Sequence, residues 1–140
     1  MDKVLIKLNT HSVIDGEEEK SEFTTEGQMY LKGNSIYLKY QETEVTGLEG
    51  TDTTIKIGKD QVTIIRKGRL NSHLIFVKGQ NRMSHYETPY GSVNVQVYTF
   101  SVNKKVDLEN GTIQLEMKYQ LSVNDSEEIV NTISLNSKRV

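Results

Sequence analysis

Thr112-Ile113-Gln114-Leu115-Glu116-Met117-Lys118-Tyr119-Gln120-Leu121-Ser122-Val123 alternates polar and apolar side chains without a break. An extended backbone sends successive side chains to opposite faces, so this stretch carries one packed face and one wet face. A helix, with a period of about 3.6 residues, would scatter the same side chains around its axis. Asn110-Gly111, just before it, predicts a type I′ hairpin, because both central positions of that turn need positive φ.

The same period runs outward from this strand. Val4, Ile6, Leu8 and Ile14 share one face of a first strand, with Thr10 and Ser12 between them. Phe23, Thr25, Gly27, Met29 and Leu31 form a second, and Gly33-Asn34 turns it into a third carrying Ile36, Leu38, Tyr40 and Glu42. Ile55 and Ile57 lead through Gly58-Lys59-Asp60 into Val62, Ile64 and Arg66. Lys67-Gly68-Arg69 precedes a strand with Leu74 and Phe76, closed by Gly79. A strand over 83–88 stops at Pro89, which donates no ladder hydrogen bond. From Ser92 the apolar register slips: Val93, Val95 and Val97 are odd, whereas Tyr98, Phe100 and Val102 are even. That slip predicts a bulge or sharp bend near Tyr98-Thr99. The last strand holds Ile129, Ile133 and Leu135, with Asn131 in the same register. Residues 43–53 are the one long irregular stretch, with room for a short turn of helix, and residues 15–19 read as an acidic hairpin tip.

These segments amount to about ten strands joined mostly by tight turns. Consecutive hairpins hide their edges most simply by closing, so the expectation is one all-β domain over 1–140, an up-and-down antiparallel barrel of about 8–10 strands. The apolar fraction of 35% is low, which suits a sheet wet on one face.

Composition also excludes function classes. Net charge is −2 with dispersed Lys and Arg, so no nucleic-acid partner is expected. The absence of cysteine excludes disulfides, thiolate metal sites and a Cys nucleophile. Val4-Leu5-Ile6, cut by Lys7 before Leu8, is too short for a signal segment or a membrane span, so a cytoplasmic protein without membrane association is expected. His11 and His73 fall on the polar parity, His85 lies in an ambiguous strand, and no two have ligand spacing, so no metal is expected. Ser, His and Asp lack an elbow motif, and the glycines sit at turns and form no phosphate loop; neither a triad nor a cofactor is indicated. Oligomeric state is left open.

Arg66-Lys67-Gly68, Leu74-Ile75-Phe76, Tyr86-Glu87-Thr88-Pro89-Tyr90-Gly91, Thr99, and Gly111 with Leu115 and Tyr119 together resemble the YwiB-like family of small bacterial proteins. Tyr40-Gln41-Glu42 fits the same pattern, and Thr-Pro-Tyr-Gly with the preceding Tyr86 is its most specific part. The resemblance covers most of the chain. It implies a calycin-type barrel, similar to lipocalins and fatty-acid-binding proteins, in Gram-positive bacteria, and it supplies almost no chemistry.

By parity, only two charges occupy the apolar register: Glu42 and Arg66. A charge placed there is costly unless paired. The other polar members of that face are Thr10, Ser12, Thr25, Thr99, Tyr119 and Asn131, with Tyr40 as a further hydroxyl. In one reading Glu42 pairs with Arg66 inside a barrel packed solid, and the protein is a structural or interaction module with no interior ligand, whose outer surface matters. In a second, Arg66 receives the anionic head of a small, partly apolar ligand, because a planar guanidinium donates two parallel hydrogen bonds to a carboxylate or phosphate. The resemblance adds that calycin-type barrels often use an interior Arg and Tyr in this way. The ligand-binding set is then Arg66, Glu42, Tyr40, Tyr119, Tyr86 and Thr99. A third reading makes Glu42 a proton donor beside Arg66 and a Tyr for cofactor-free acid–base chemistry. No histidine or second carboxylate shares the register, so no catalytic residue is assigned. Tyr86, Tyr90 and Tyr98 surround the one proline and serve either turn and rim packing or a binding-site mouth.

Overall fold

The period-two pattern becomes a closed antiparallel barrel in which each strand pairs with its chain neighbours. In the computed structural model, which describes residues 2–123 and 127–140, the strands are β1 (Asp2–Ile14), β2 (Glu17–Lys32), β3 (Ser35–Gln41), β4 (Thr51–Ile57), β5 (Val62–Gly68), β6 (Asn71–Phe76), β7 (Asn81–Thr88), β8 (Gly91–Asp107), β9 (Thr112–Val123) and β10 (Glu127–Arg139). Closure comes from β1 against β10, in register from Val4↔Arg139 to Ile14↔Ile129. Both termini share one rim with the turns at 33–34, 58–61, 77–80 and 108–111. The opposite rim carries the turns at 15–16, 69–70 and 89–90 and the loop 42–50.

The interior divides along the barrel axis. Toward the terminal rim it is filled by Val4, Ile6, Leu38, Phe76 and Met117, each with no exposed surface. These side chains belong to one continuous buried cluster. Gly27 lets β2 bend inward: a Cβ at that position would stand 2.5 Å from the Lys39 carbonyl oxygen and 2.7 Å from Ile6 Cδ1. Toward the other rim the inward positions turn polar.

Three expectations need correction. The turn before β9 is not type I′: Gly111 has φ 66° but Asn110 does not have positive φ. Residues 108–111 form a four-residue loop in which Asp107 Oδ1 accepts from the Asn110 amide at 3.1 Å and Gly111 N donates to Leu108 O. That side-chain cap favours a type I turn followed by a left-handed glycine. Type I′ geometry occurs instead at Asp15-Gly16, with φ of 50° and 81°, in the acidic tip. The bulge expected near Tyr98-Thr99 is present: the β8 register shifts between Thr99 and Ser101, with Phe100 as the extra residue. Tyr98 and Phe100 both point outward with rings 5.1 Å apart, Lys118 stands over the Phe100 ring, and Val102 resumes the inward register. The irregular stretch holds turns and no helix, and β4 begins at Thr51, earlier than the expected boundary.

Finally, Glu42 and Arg66 are not alone in the inward register. Asp2, Arg82, Lys104 and Arg139 also occupy it, paired with Met29, Val97, Leu115 and Val4, as do Glu17 and Glu19, paired with Ile14 and Ser12. All six are exposed, the first four at the terminal rim and the two glutamates at the opposite one. Lys104 Nζ donates to the Gly58 and Lys59 carbonyls, and Arg139 Nε meets Asp2 Oδ2 at 3.4 Å. A charge exposed at a rim reaches water or backbone carbonyls; Glu42 and Arg66, toward the opposite rim, are largely covered and must find partners inside.

Candidate functional site

Glu42 directly follows β3 and Arg66 lies on β5, with Thr53 of β4 between them as the cross-strand partner of Arg66. The Glu42 side chain is 2% exposed and that of Arg66 17%. Thr53 Oγ1 donates to Glu42 Oε1 at 2.7 Å. Arg66 Nε stands 3.9 Å from the same oxygen, close enough to pair charges and too far for a hydrogen bond. That Nε is buried and has no hydrogen-bond partner among the described residues. Glu42 is therefore held by neutral hydroxyls, those of Thr53 and Tyr40, and the guanidinium engages Tyr86 while its Nε keeps a donor in reserve.

Phenols surround the guanidinium. Burial first, and the Glu42 carboxylate second, push the Tyr40 hydroxyl well above its ordinary value, and Arg66 opposes them. Burial also raises Tyr86, with Arg66 opposing, and raises Tyr119, helped by Tyr86 and opposed by Arg66. These tyrosines are neutral hydroxyl donors throughout the physiological range. Arg66, Ser72 and Tyr86 stand in one inward row, since Ser72 pairs across to both of the others. The Ser72 Oγ is buried and lacks a partner among the described residues.

Beside the pair lies a cavity of about 240 Å³. Leu8, Phe23, Tyr40, Glu42 and Arg66 line it from the barrel wall, and Val45, Thr46 and Leu48 of the loop roof it. A larger groove of about 660 Å³ lies on the outer wall of β2–β5, beside the stacked Tyr30–Tyr37 pair. Lys39 and Lys56 stand over those two rings. The outer groove is wider, but the buried charges are inside, and the chemistry follows the charges.

Of the expected binding set, Tyr40, Glu42 and Arg66 come together at the cavity wall, whereas Tyr86 and Tyr119 stand near Arg66 without lining the cavity. Thr99 is inward and fully buried, opposite Tyr119, with an unpartnered Oγ1 among the described residues, but it does not line the cavity. Of the other polar positions, Thr10 lines the cavity and Ser12 Oγ donates to Asn131 Oδ1 at 2.5 Å. Tyr86 faces the interior, Tyr90 is 92% exposed, and Tyr98 lies on the outer wall. Thr53 and Ser72 were missed. Thr53 alternates with Ile55 and Ile57, and Ser72 with Leu74 and Phe76, so extending each apolar register by one step would have found both. Among the described residues no helix is long and apolar enough to cross a membrane. No three of the described His, Cys, Asp and Glu residues gather in a way that could hold a metal ion.

A family model described as a domain of unknown function (DUF1934) matches residues 6–135. The chain belongs to this family. The "Uncharacterized beta-barrel protein YwiB" of Bacillus subtilis is 30% identical over 132 residues, covering 93% of this chain and 90% of that protein. The solved structure titled "Crystal structure of ywiB protein from Bacillus subtilis" superposes with a TM-score of 0.87, 21% identity and coverage of 99% of this chain and 92% of the other. The YwiB-like resemblance and the closed barrel read from parity are both confirmed. Family membership adds the fold, and the chemistry has to come from the residues themselves.

Proposed function

We propose that the barrel binds a small, partly apolar anion in the cavity under the 42–50 loop, with Arg66 as its anchor. The observation that carries this reading is the buried Arg66 Nε, unpartnered among the described residues, on a side chain that lines the cavity. Leaving such a donor unsatisfied costs about 1–3 kcal/mol, and a carboxylate or phosphate oxygen removes that cost. Leu8, Phe23, Val45 and Leu48 supply the apolar walls. At about 240 Å³ the space falls below the ~300–1,000 Å³ of pockets for drug-sized ligands, which favours a compact molecule over a long acyl chain.

The competing reading is a purely structural pair, and the Glu42–Arg66 approach of 3.9 Å is what favours it. The two separate in an NMR titration with 4-methylpentanoate, followed at the amides of Leu8, Phe23 and Leu48. The binding reading expects saturable shifts that disappear in Arg66→Met, and native mass spectrometry of cell-purified protein should show an adduct lost on denaturation. Unmoved amides at millimolar probe, with no adduct, would leave the structural pair as the better account.

A further inference from the structure

The cavity wall carries two opposite charges side by side. A simple anion drawn to Arg66 comes as close to the Glu42 carboxylate, whose Oε1 is 3.9 Å from Arg66 Nε. That repulsion partly offsets the attraction, so a monoanion still binds but is held less firmly than by an unpaired guanidinium. The other nearby carboxylate, Glu22 at the cavity rim, already meets Lys7 Nζ at 3.1 Å. The buried carboxylate that a ligand has to satisfy is therefore that of Glu42.

We propose that the cavity takes an α-amino acid with a short aliphatic side chain, its carboxylate on Arg66 and its ammonium on Glu42. This inference rests on the anion-binding reading above and narrows it. In an α-amino acid the two charged groups are separated by one carbon, so they lie edge to edge against a Glu–Arg pair of this spacing, each opposite its complement. An ω-amino acid holds its charges too far apart to meet both. Arg66 lines the cavity, and its unpartnered Nε offers a donor to a carboxylate oxygen. Glu42 has donors on one flank, where Thr53 binds Oε1, and lines the cavity on the other. The side chain of the amino acid packs against Leu8, Phe23 and Leu48, and the modest volume limits it to a few carbons.

Three probes with one carbon skeleton isolate the two charges: L-leucine, 4-methylpentanoate, which lacks the ammonium, and 3-methylbutylamine, which lacks the carboxylate. Isothermal titration and amide shifts at Leu8, Phe23 and Leu48 read their affinities for the wild-type barrel. L-Leucine should bind at least tenfold tighter than either deletion analogue. In Glu42→Gln, whose amide oxygen still accepts from Thr53, that advantage over 4-methylpentanoate should vanish. Should this variant fail to fold, the wild-type series decides alone. If 4-methylpentanoate binds as tightly as L-leucine, the zwitterion assignment falls and the anion reading stands. If no probe binds at millimolar concentration, or the amine binds best, both fall.

Discussion

Removing Arg66 should expose what the buried pair contributes to stability. Glu42 has 2% of its side chain exposed and would lose the cation beside it, keeping Thr53 as a neutral partner. At about 4 Å and an effective dielectric near 20 the attraction is about 4 kcal/mol, and desolvation of both ions offsets much of it. Orphaning one member of a buried pair costs about 3–5 kcal/mol. The separation exceeds hydrogen-bonding distance and 17% of Arg66 is exposed, so the lower end applies and Arg66→Met should cost about 3 kcal/mol. Methionine retains most of the apolar stem, so the loss reports charge more than packing. Adding Glu42→Gln should recover part of it, with a coupling of about 1–3 kcal/mol. Urea unfolding of the wild type, both single variants and the double variant measures this, provided that m is unchanged across the set. Additivity within about 0.5 kcal/mol would mean that the two charges do not interact, and the site as described would be wrong.

The tight approach at Gly27 makes Gly27→Ala destabilising by about 1–3 kcal/mol, because the new methyl meets the Lys39 backbone oxygen and β2 has to shift; a thermal or urea midpoint unchanged from wild type would contradict that bend. Alkaline pH should unfold the barrel cooperatively. Tyr40, Tyr86 and Tyr119 have folded values raised above their ordinary 10.0, so their contribution is fully present below pH 10 and lost as pH rises through the folded values. Ultraviolet titration should show the tyrosinates of these three appearing together with loss of β circular dichroism; their ionisation in an intact barrel would refute the burial. Thr53→Val, which removes the hydroxyl on Glu42 without changing shape, should cost about 1–3 kcal/mol in urea unfolding, and a neutral outcome would mean that Glu42 has another strong partner.

Much of this architecture was legible because one physical rule dominates it. In a closed barrel inward and outward positions alternate along every strand, so parity in β9 and its neighbours recovers the wall and places Glu42, Arg66, Tyr40 and Tyr119 inside. What parity loses are local breaks whose positions depend on side-chain capping. Asp107 selects the turn before β9. The β8 bulge, by contrast, showed as a slip in the register, and the outward pairing of Tyr98 with Phe100 accompanies it. Charges at the terminal rim follow the same parity, Asp2 with Val4 and Arg139 with Leu135, and Lys104 joins them once the bulge is counted; parity alone does not tell a rim position from a buried one. The roof of the cavity was not readable either. Val45 and Leu48 become cavity walls through the path of an irregular loop, and no periodic pattern encodes that path.

The central claim is that Arg66 holds the charged end of a ligand within the wall of the barrel, and a crystal soaked with 4-bromobutanoate tests it most directly. The account predicts a carboxylate on the Arg66 guanidinium and an anomalous bromine peak among Leu8, Phe23 and Leu48. Bromine sites confined to the outer surface, over a cavity left empty, would contradict it.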